Sequence, residues 1–227
     1  MSILTVALTG GIATGKSVVA RLLAEKGCFV QSSDRLAHDL MKPGRPAWRR
    51  IVARFGRAIL DDDETIDRRR LGMIVFSRPR ERHFMNRLIH PLVLAEKKKI
   101  IRELEKKDIH KIFVSEAALT IESGFVPFFD KVIVVYCPEA LQVDRLMERD
   151  GITRSEAKKR IRSQMPAAEK VKQADYVIET SGTLEETAAQ TQRVYGMLLK
   201  DFRAKNRADK KTMSKIRTPA RRREAGS

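Results

Sequence analysis

The chain has 227 residues, 42% of them hydrophobic, and 46 Lys or Arg stand against 29 Asp or Glu for a formal charge of +17. That is enough apolar sequence for one compact domain with insertions. No apolar stretch approaches a membrane span, the N-terminus enters a strand without a basic region or cleavage site, and Cys28 and Cys137 lack metal or redox spacing. A cytoplasmic, reducing location with both cysteines as core thiols is expected, without membrane association. Residues 200–227 alone hold 11 Lys or Arg and 3 Asp or Glu. The milder excess elsewhere suits a small polyanionic substrate.

Ile3, Leu4, Val6, Ala7 and Leu8 form an apolar run suited to a parallel strand covered on both faces. After "GGIATGKS", residues 10–17, Val18, Val19, Leu22 and Leu23 recur at helical spacing until Gly27. Gly10, Gly15, Lys16 and Ser17 satisfy G-x-x-x-x-G-K-[ST] in the strand-loop-helix context that a P-loop requires. Residues Gly11, Ile12, Ala13, Thr14, Gly15, Lys16, Ser17 and Val18 are therefore expected around a nucleoside triphosphate, with Lys16 on the terminal phosphates and Ser17 on Mg²⁺.

A second strand, Phe29 to Gln31, is followed by "SSDRLAHDL", which puts Asp34 just past a strand's carboxyl end. A carboxylate there can accept a proton from an attacking hydroxyl, and Ser33 and Asp34 equally suit capping of the next helix. Helical patterns occupy 46–55, 66–76, 80–89 and 91–106, with His90-Pro91 ending one and starting the next, and Trp48 and Phe55 in the core. "AILDDDE" reads as a turn. "KIFVSEAAL" reads as a buried strand, Ile112 to Ser115, that delivers Glu116 to its end, where it can hold a metal-bound water or position a substrate group.

Strands at Val132 to Tyr136 and Tyr176 to Ile178 complete the set, with helices at 139–149, 154–163 and 183–203. Around Gly151 lie Arg145, Arg149, Arg154, Lys158, Lys159, Arg160 and Arg162, a density of cations that suits a lid over a triphosphate. The alternation predicts an α/β P-loop NTPase fold, a parallel sheet of about five strands wrapped by helices. Its parts are a nucleotide-binding core (1–31, 112–138 and 171–200), a helical acceptor-substrate insertion (32–111), a lid (139–170) and a basic, disordered tail (201–227), which reads first as a solvated extension without function and next as a weak nonspecific binder of polyanions.

This ordered set of motifs resembles the dephospho-CoA kinase family over residues 3–199. "LTGGIATGKS" is similar to its P-loop, Asp34 to its substrate-side aspartate, "FG" at 55–56 with "IDRRRL" at 66–71 to its insertion signature, and "IHP" at 89–91 to its His-Pro. "EAALTIESGF", "QVDRLMERDG", "RIRSQM" and "KQADYVI" resemble its strand-end segment, lid and closing strand. The resemblance implies transfer of phosphate from ATP, with Mg²⁺, to the ribose 3′-hydroxyl of dephospho-CoA. Asp34, Lys16 and Arg149 would be catalytic, Arg145 and Arg160 further ATP cations, and Asp34, Arg68, His90 and Glu116 acceptor-binding. A nucleoside monophosphate kinase or a nucleic-acid-binding NTPase are the alternatives; Asn-Lys-x-Asp, the mark of GTP-binding versions, is absent. The chain departs from the pattern at Ser32-Ser33 before Asp34, at Ala13 where a glycine is common, at Ala117-Ala118, and at Thr180 in place of Asn on the adenine side.

Overall fold

β1 (Leu4–Gly10) is the central strand of a five-stranded, all-parallel sheet. In the computed structural model, which describes the backbone of residues 1–217 and their side chains as far as Lys210 except that of Phe76, the order is β2 (Phe29–Ser32), β3 (Ile112–Glu116), β1, β4 (Lys131–Tyr136) and β5 (Tyr176–Glu179). Leu4, Val6 and Leu8 lie in one buried cluster with Val19 and Leu23 of α1 (Lys16–Glu25), while Ala7 lies in another with Val132 and Val134. A strand buried on both faces needs apolar residues at successive positions, which is what this run supplies.

The long interval after β2 forms α2 (Ser33–Leu40), α3 (Pro46–Phe55), α4 (Arg68–Ser77) and α5 (Pro79–Lys107), with a core of their own around Leu36, Ile51, Ile59, Leu71 and Leu88. "AILDDDE" is a turn, bounded by a short 3-10 segment and a single bridge between Leu60 and Ile66. The expected break at His90-Pro91 does not occur: α5 is one 29-residue helix with Pro91 inside it. Proline removes one backbone donor and its ring crowds the preceding turn. Here Leu88, Ile89 and Val93 on either side are all buried in the insertion core, so packing keeps the helix continuous through the proline.

Beyond β4 come α6 (Glu139–Asp150), α7 (Arg154–Arg162), α8 (Ala167–Val171) and, after β5, α9 (Leu184–Arg217). Gly151 closes α6 with φ +63°, and a capping box between Thr153 and Glu156 starts α7. The tail departs from the expected disorder beginning at 201. Val194, Leu198 and Phe202 continue one buried stripe, Tyr176 donates to Asp201 at 2.6 Å, and Lys205 donates to Ile3 O at 3.0 Å and Asp130 Oδ2 at 2.7 Å. Asn206 brackets Ser2, accepting from its N–H and donating to its carbonyl. The remaining tail residues, 218–227, lie outside those described.

Candidate active site

The register of the sheet assembles the site. Leu8 of β1 pairs with Glu116 of β3, which pairs in turn with Ser32 of β2. The P-loop, Glu116 and the start of α2 therefore emerge together at the carboxyl edge, where open α/β sheets bind ligands. Ser33 and Ser115 meet at 3.0 Å between their hydroxyls and fasten the start of α2 to β3.

Gly10 turns out of β1 at φ +154°, and a Cβ there would collide with the Val135 carbonyl. Gly15 caps α1 at φ +80°. Ala13 adopts φ +59°, a left-handed conformation that costs an L-residue about 1–2 kcal/mol. Ile12 N–H donates to Gln164 Oε1 at 2.8 Å, and Ile12 and Ala13 pack against Val143, Leu146 and Ala157 of α6 and α7. Thr180 is buried and its hydroxyl donates to Thr14 O at 2.7 Å, while Arg145 donates to Thr180 O at 2.7 Å and Ala13 O at 3.4 Å. The Thr180 departure thus ties the P-loop to the segment after β5.

A cavity of about 560 Å³ opens over the loop, lined by Ala13, Thr14, Gly15, Lys16, Ser17 and Val18, with Asp34, Glu116, Ala118, Arg145 and Arg149 around it. Its far side is Thr180, Gly182, Thr183, Leu184 and Thr187. The α9 start was not among the expected site residues, although its Thr183/Glu186 capping pair was legible as T-x-x-E. Burial pulls the Lys16 amine below the ordinary lysine value; Glu116 and Asp34 oppose that shift, and Lys170 and Arg149 reinforce it. Gly11 and Ile12 do not line this cavity, and neither does Arg160. Arg160 donates to Asp150 at 2.7 Å, and Asp150 also holds Arg149 at 2.7 Å, so one carboxylate links these arginines of α6 and α7.

Asp34 faces a second cavity as well, of about 390 Å³, formed by α2, α5 and the segment after β3. It holds His90, whose ring meets Phe125 edge to face at 4.7 Å and whose pKa burial lowers. Glu122 and Lys97 line it too, and neither was singled out from the sequence. Ser32, not Asp34, caps α2, accepting from Arg35 N at 3.4 Å, which leaves the Asp34 carboxylate free of the capping role. Arg68 does not join Asp34 and His90. It begins α4 and lines a third, mostly apolar cavity of about 350 Å³, which shares Met41 and Met85 with the second. Glu116 lies on the nucleotide cavity.

The profile of the dephospho-CoA kinase family matches residues 4–186. A dephospho-CoA kinase of Carboxydothermus hydrogenoformans is 45% identical over 82% of this chain and 89% of its own length, and one of Geobacillus kaustophilus is 46% identical over 82% and 92%. Among solved structures, the dephospho-CoA kinase from Campylobacter jejuni superposes with TM-score 0.65 at 29% identity, covering 87% of this chain and 98% of that one. A shikimate kinase from Acinetobacter baumannii shares the fold at TM-score 0.50 and 18% identity, over 88% of this chain and 95% of its own. With a P-loop and a helical insertion converging on one sheet edge, the chain belongs to the dephospho-CoA kinase family.

Proposed function

We propose that the protein transfers the γ-phosphoryl group of ATP to the ribose 3′-hydroxyl of dephospho-CoA, giving ADP and coenzyme A. The carrying observation is that Asp34 lines both the nucleotide cavity and the neighbouring insertion cavity. The acceptor hydroxyl, brought in from the insertion side, meets the γ-phosphate at this shared carboxylate. The adjoining apolar cavity around Arg68 favours an acceptor longer than a nucleoside monophosphate.

In the step itself the 3′-oxygen forms a bond to the γ-phosphorus as the bond to the ADP oxygen breaks. Asp34 accepts the hydroxyl proton and releases it to water. Lys16, with Arg145 and Arg149, offsets the charge spread over the transferred group and the leaving oxygen. Mg²⁺ suits this edge, since Ser17 offers a hydroxyl and Glu116 a carboxylate able to hold a metal-bound water in one cavity, both hard oxygen donors. Among the described residues no group of three or more His, Cys, Asp or Glu could enclose an ion, so phosphate oxygens and water would complete its shell. When bound, the ion would neutralise charge on the β- and γ-phosphates. His90 and Glu116 help seat the acceptor, with Arg68 one cavity further out; Arg160 acts through Asp150 on Arg149.

A coupled ADP-release assay over dephospho-CoA, AMP, CMP, pantetheine phosphate and RNA tests the acceptor. The expected result is the highest kcat/KM for dephospho-CoA; a higher value for AMP or CMP would overturn the assignment.

A further inference from the structure

Two lysines beside the site are almost wholly buried, and their surroundings differ. Lys170 of α8 pairs with Glu122 at 2.7 Å and donates to Ala118 O at 2.9 Å, so its charge is met within the protein. Lys97 of α5 is 3% exposed, and among the described residues no carboxylate lies within ion-pair distance of its amine. The amine sits 5.5 Å from the centre of the Phe129 ring. His90, Val93 and Lys97 share one helical face, and all three line the insertion cavity with Asp34.

A buried cation without a close counter-charge is costly unless something meets it. The charged and titratable groups facing it across that cavity are Asp34 from α2, Glu122 from the segment after β3 and His90 from its own helix. Glu122 is already engaged by Lys170, and Asp34 is shared with Lys16, Glu116, Arg145 and Arg149 on the nucleotide side. We propose that Lys97 is the acceptor-side phosphate cation, its ammonium meeting the diphosphate that joins the acceptor's ribose to its pantetheine arm. This assignment rests on dephospho-CoA as the acceptor. The diphosphate lies one sugar away from the 3′-hydroxyl, so a cation beside Asp34 can hold it while the hydroxyl faces the carboxylate.

Burial pulls the Lys97 amine down to about 8, against the opposing charge of Asp34. The ammonium is thus present near neutrality and lost as pH rises through that value. His90, with its pKa lowered, is already neutral across that window, and the acceptor's diphosphate does not titrate there.

The test is calorimetric affinity for dephospho-CoA and for adenosine, which lacks the diphosphate, at about pH 7 and about pH 9.5, in wild type and Lys97→Met. Lys97→Met should weaken dephospho-CoA binding about 10- to 100-fold while leaving adenosine affinity and the KM for ATP within about twofold. Wild-type affinity for dephospho-CoA should fall about tenfold between the two pH values, and the variant should lose that dependence. Unchanged dephospho-CoA binding in the variant, or an equal loss for adenosine, would overturn the proposal. If the variant does not fold, the wild-type pH comparison decides, and an affinity unmoved by pH overturns it. Wild-type turnover of dephospho-CoA is scored first: its absence overturns the acceptor assignment and this role together, whereas turnover without the Lys97 signature overturns this role alone.

Discussion

Ser32 and Glu116 are register partners on neighbouring parallel strands, and this one pairing carries the insertion's first helix to the phosphate edge of the sheet. Ser32 caps α2, so Asp34 falls in the helix's first turn with its carboxylate turned to both cavities. Asp34→Asn keeps the shape and removes the proton acceptor. It should lower kcat on the order of 10²-fold or more while leaving ATP affinity nearly intact, whereas Lys16→Ala should suppress turnover by a similar factor through lost charge stabilisation. Steady-state kinetics with nucleotide-binding titrations check this; near-normal kcat in Asp34→Asn would remove Asp34 from the chemistry.

Ala13 holds the P-loop at φ +59° while its methyl packs against α6 and α7. Ala13→Gly relieves the backbone but frees the unfolded chain, so stability should change by no more than about 1 kcal/mol in the favourable direction. Ala13→Val, β-branched at positive φ, should lose about 2 kcal/mol. Denaturant melts of the two variants measure the difference, and equal stabilities would show that backbone conformation is not limiting there.

The C-terminal helix has a structural part and a charged part. Cutting after Lys200 removes Phe202, which is 7% exposed, together with the Asp201, Lys205 and Asn206 contacts, and should cost about 3–5 kcal/mol. Cutting after Lys210 spares these and should leave stability within about 0.5 kcal/mol and kinase activity intact. It also removes Lys211, Lys215, Arg217, Arg221, Arg222 and Arg223, so retention on heparin should fall and, in the full chain, should be strongly salt-sensitive. Lost activity in the folded 1–210 chain would give the last residues a role in the site.

Asp130 joins the first strand to that helix. Burial pushes its carboxyl up, but hydrogen bonds from Lys205 and from Thr5 N and Oγ1 outweigh burial and hold it below the ordinary aspartate value. Its stabilisation is therefore complete above the unfolded aspartate value, about 3.9, and is lost as pH falls through the lower folded value. Asp130→Asn should lose about 1–2 kcal/mol near neutral pH, and its deficit against wild type should shrink as pH is taken from about 5 to about 2. Urea melts across that range would show a constant deficit if the carboxylate charge were irrelevant.

The parts of the site that were legible in sequence are those carried by local spacing. Lys16 and Ser17 are fixed by the glycine loop, and Asp34 and Glu116 by their places at strand ends. Lys97 sits in the run Lys97-Lys98-Lys99, which reads as a solvated helix face until the insertion fold buries the first of the three. Arg68 shares a motif with the acceptor signature yet faces a separate cavity, because the path of the chain between α3 and α4 is a tertiary matter. The helix through Pro91 and the continuation of the last helix beyond Arg203 were missed for a related reason: buried neighbours at i+4 spacing outweigh a local proline or an adverse charge count.

The chemistry itself is tested most directly by following the phosphorus. Dephospho-CoA is incubated with the enzyme and ATP labelled at the γ-position, and the product is then cleaved at its diphosphate. Transfer to the ribose 3′-hydroxyl predicts that the label is recovered in adenosine 3′,5′-bisphosphate; label in the pantetheine phosphate fragment, or released only as inorganic phosphate, would contradict it.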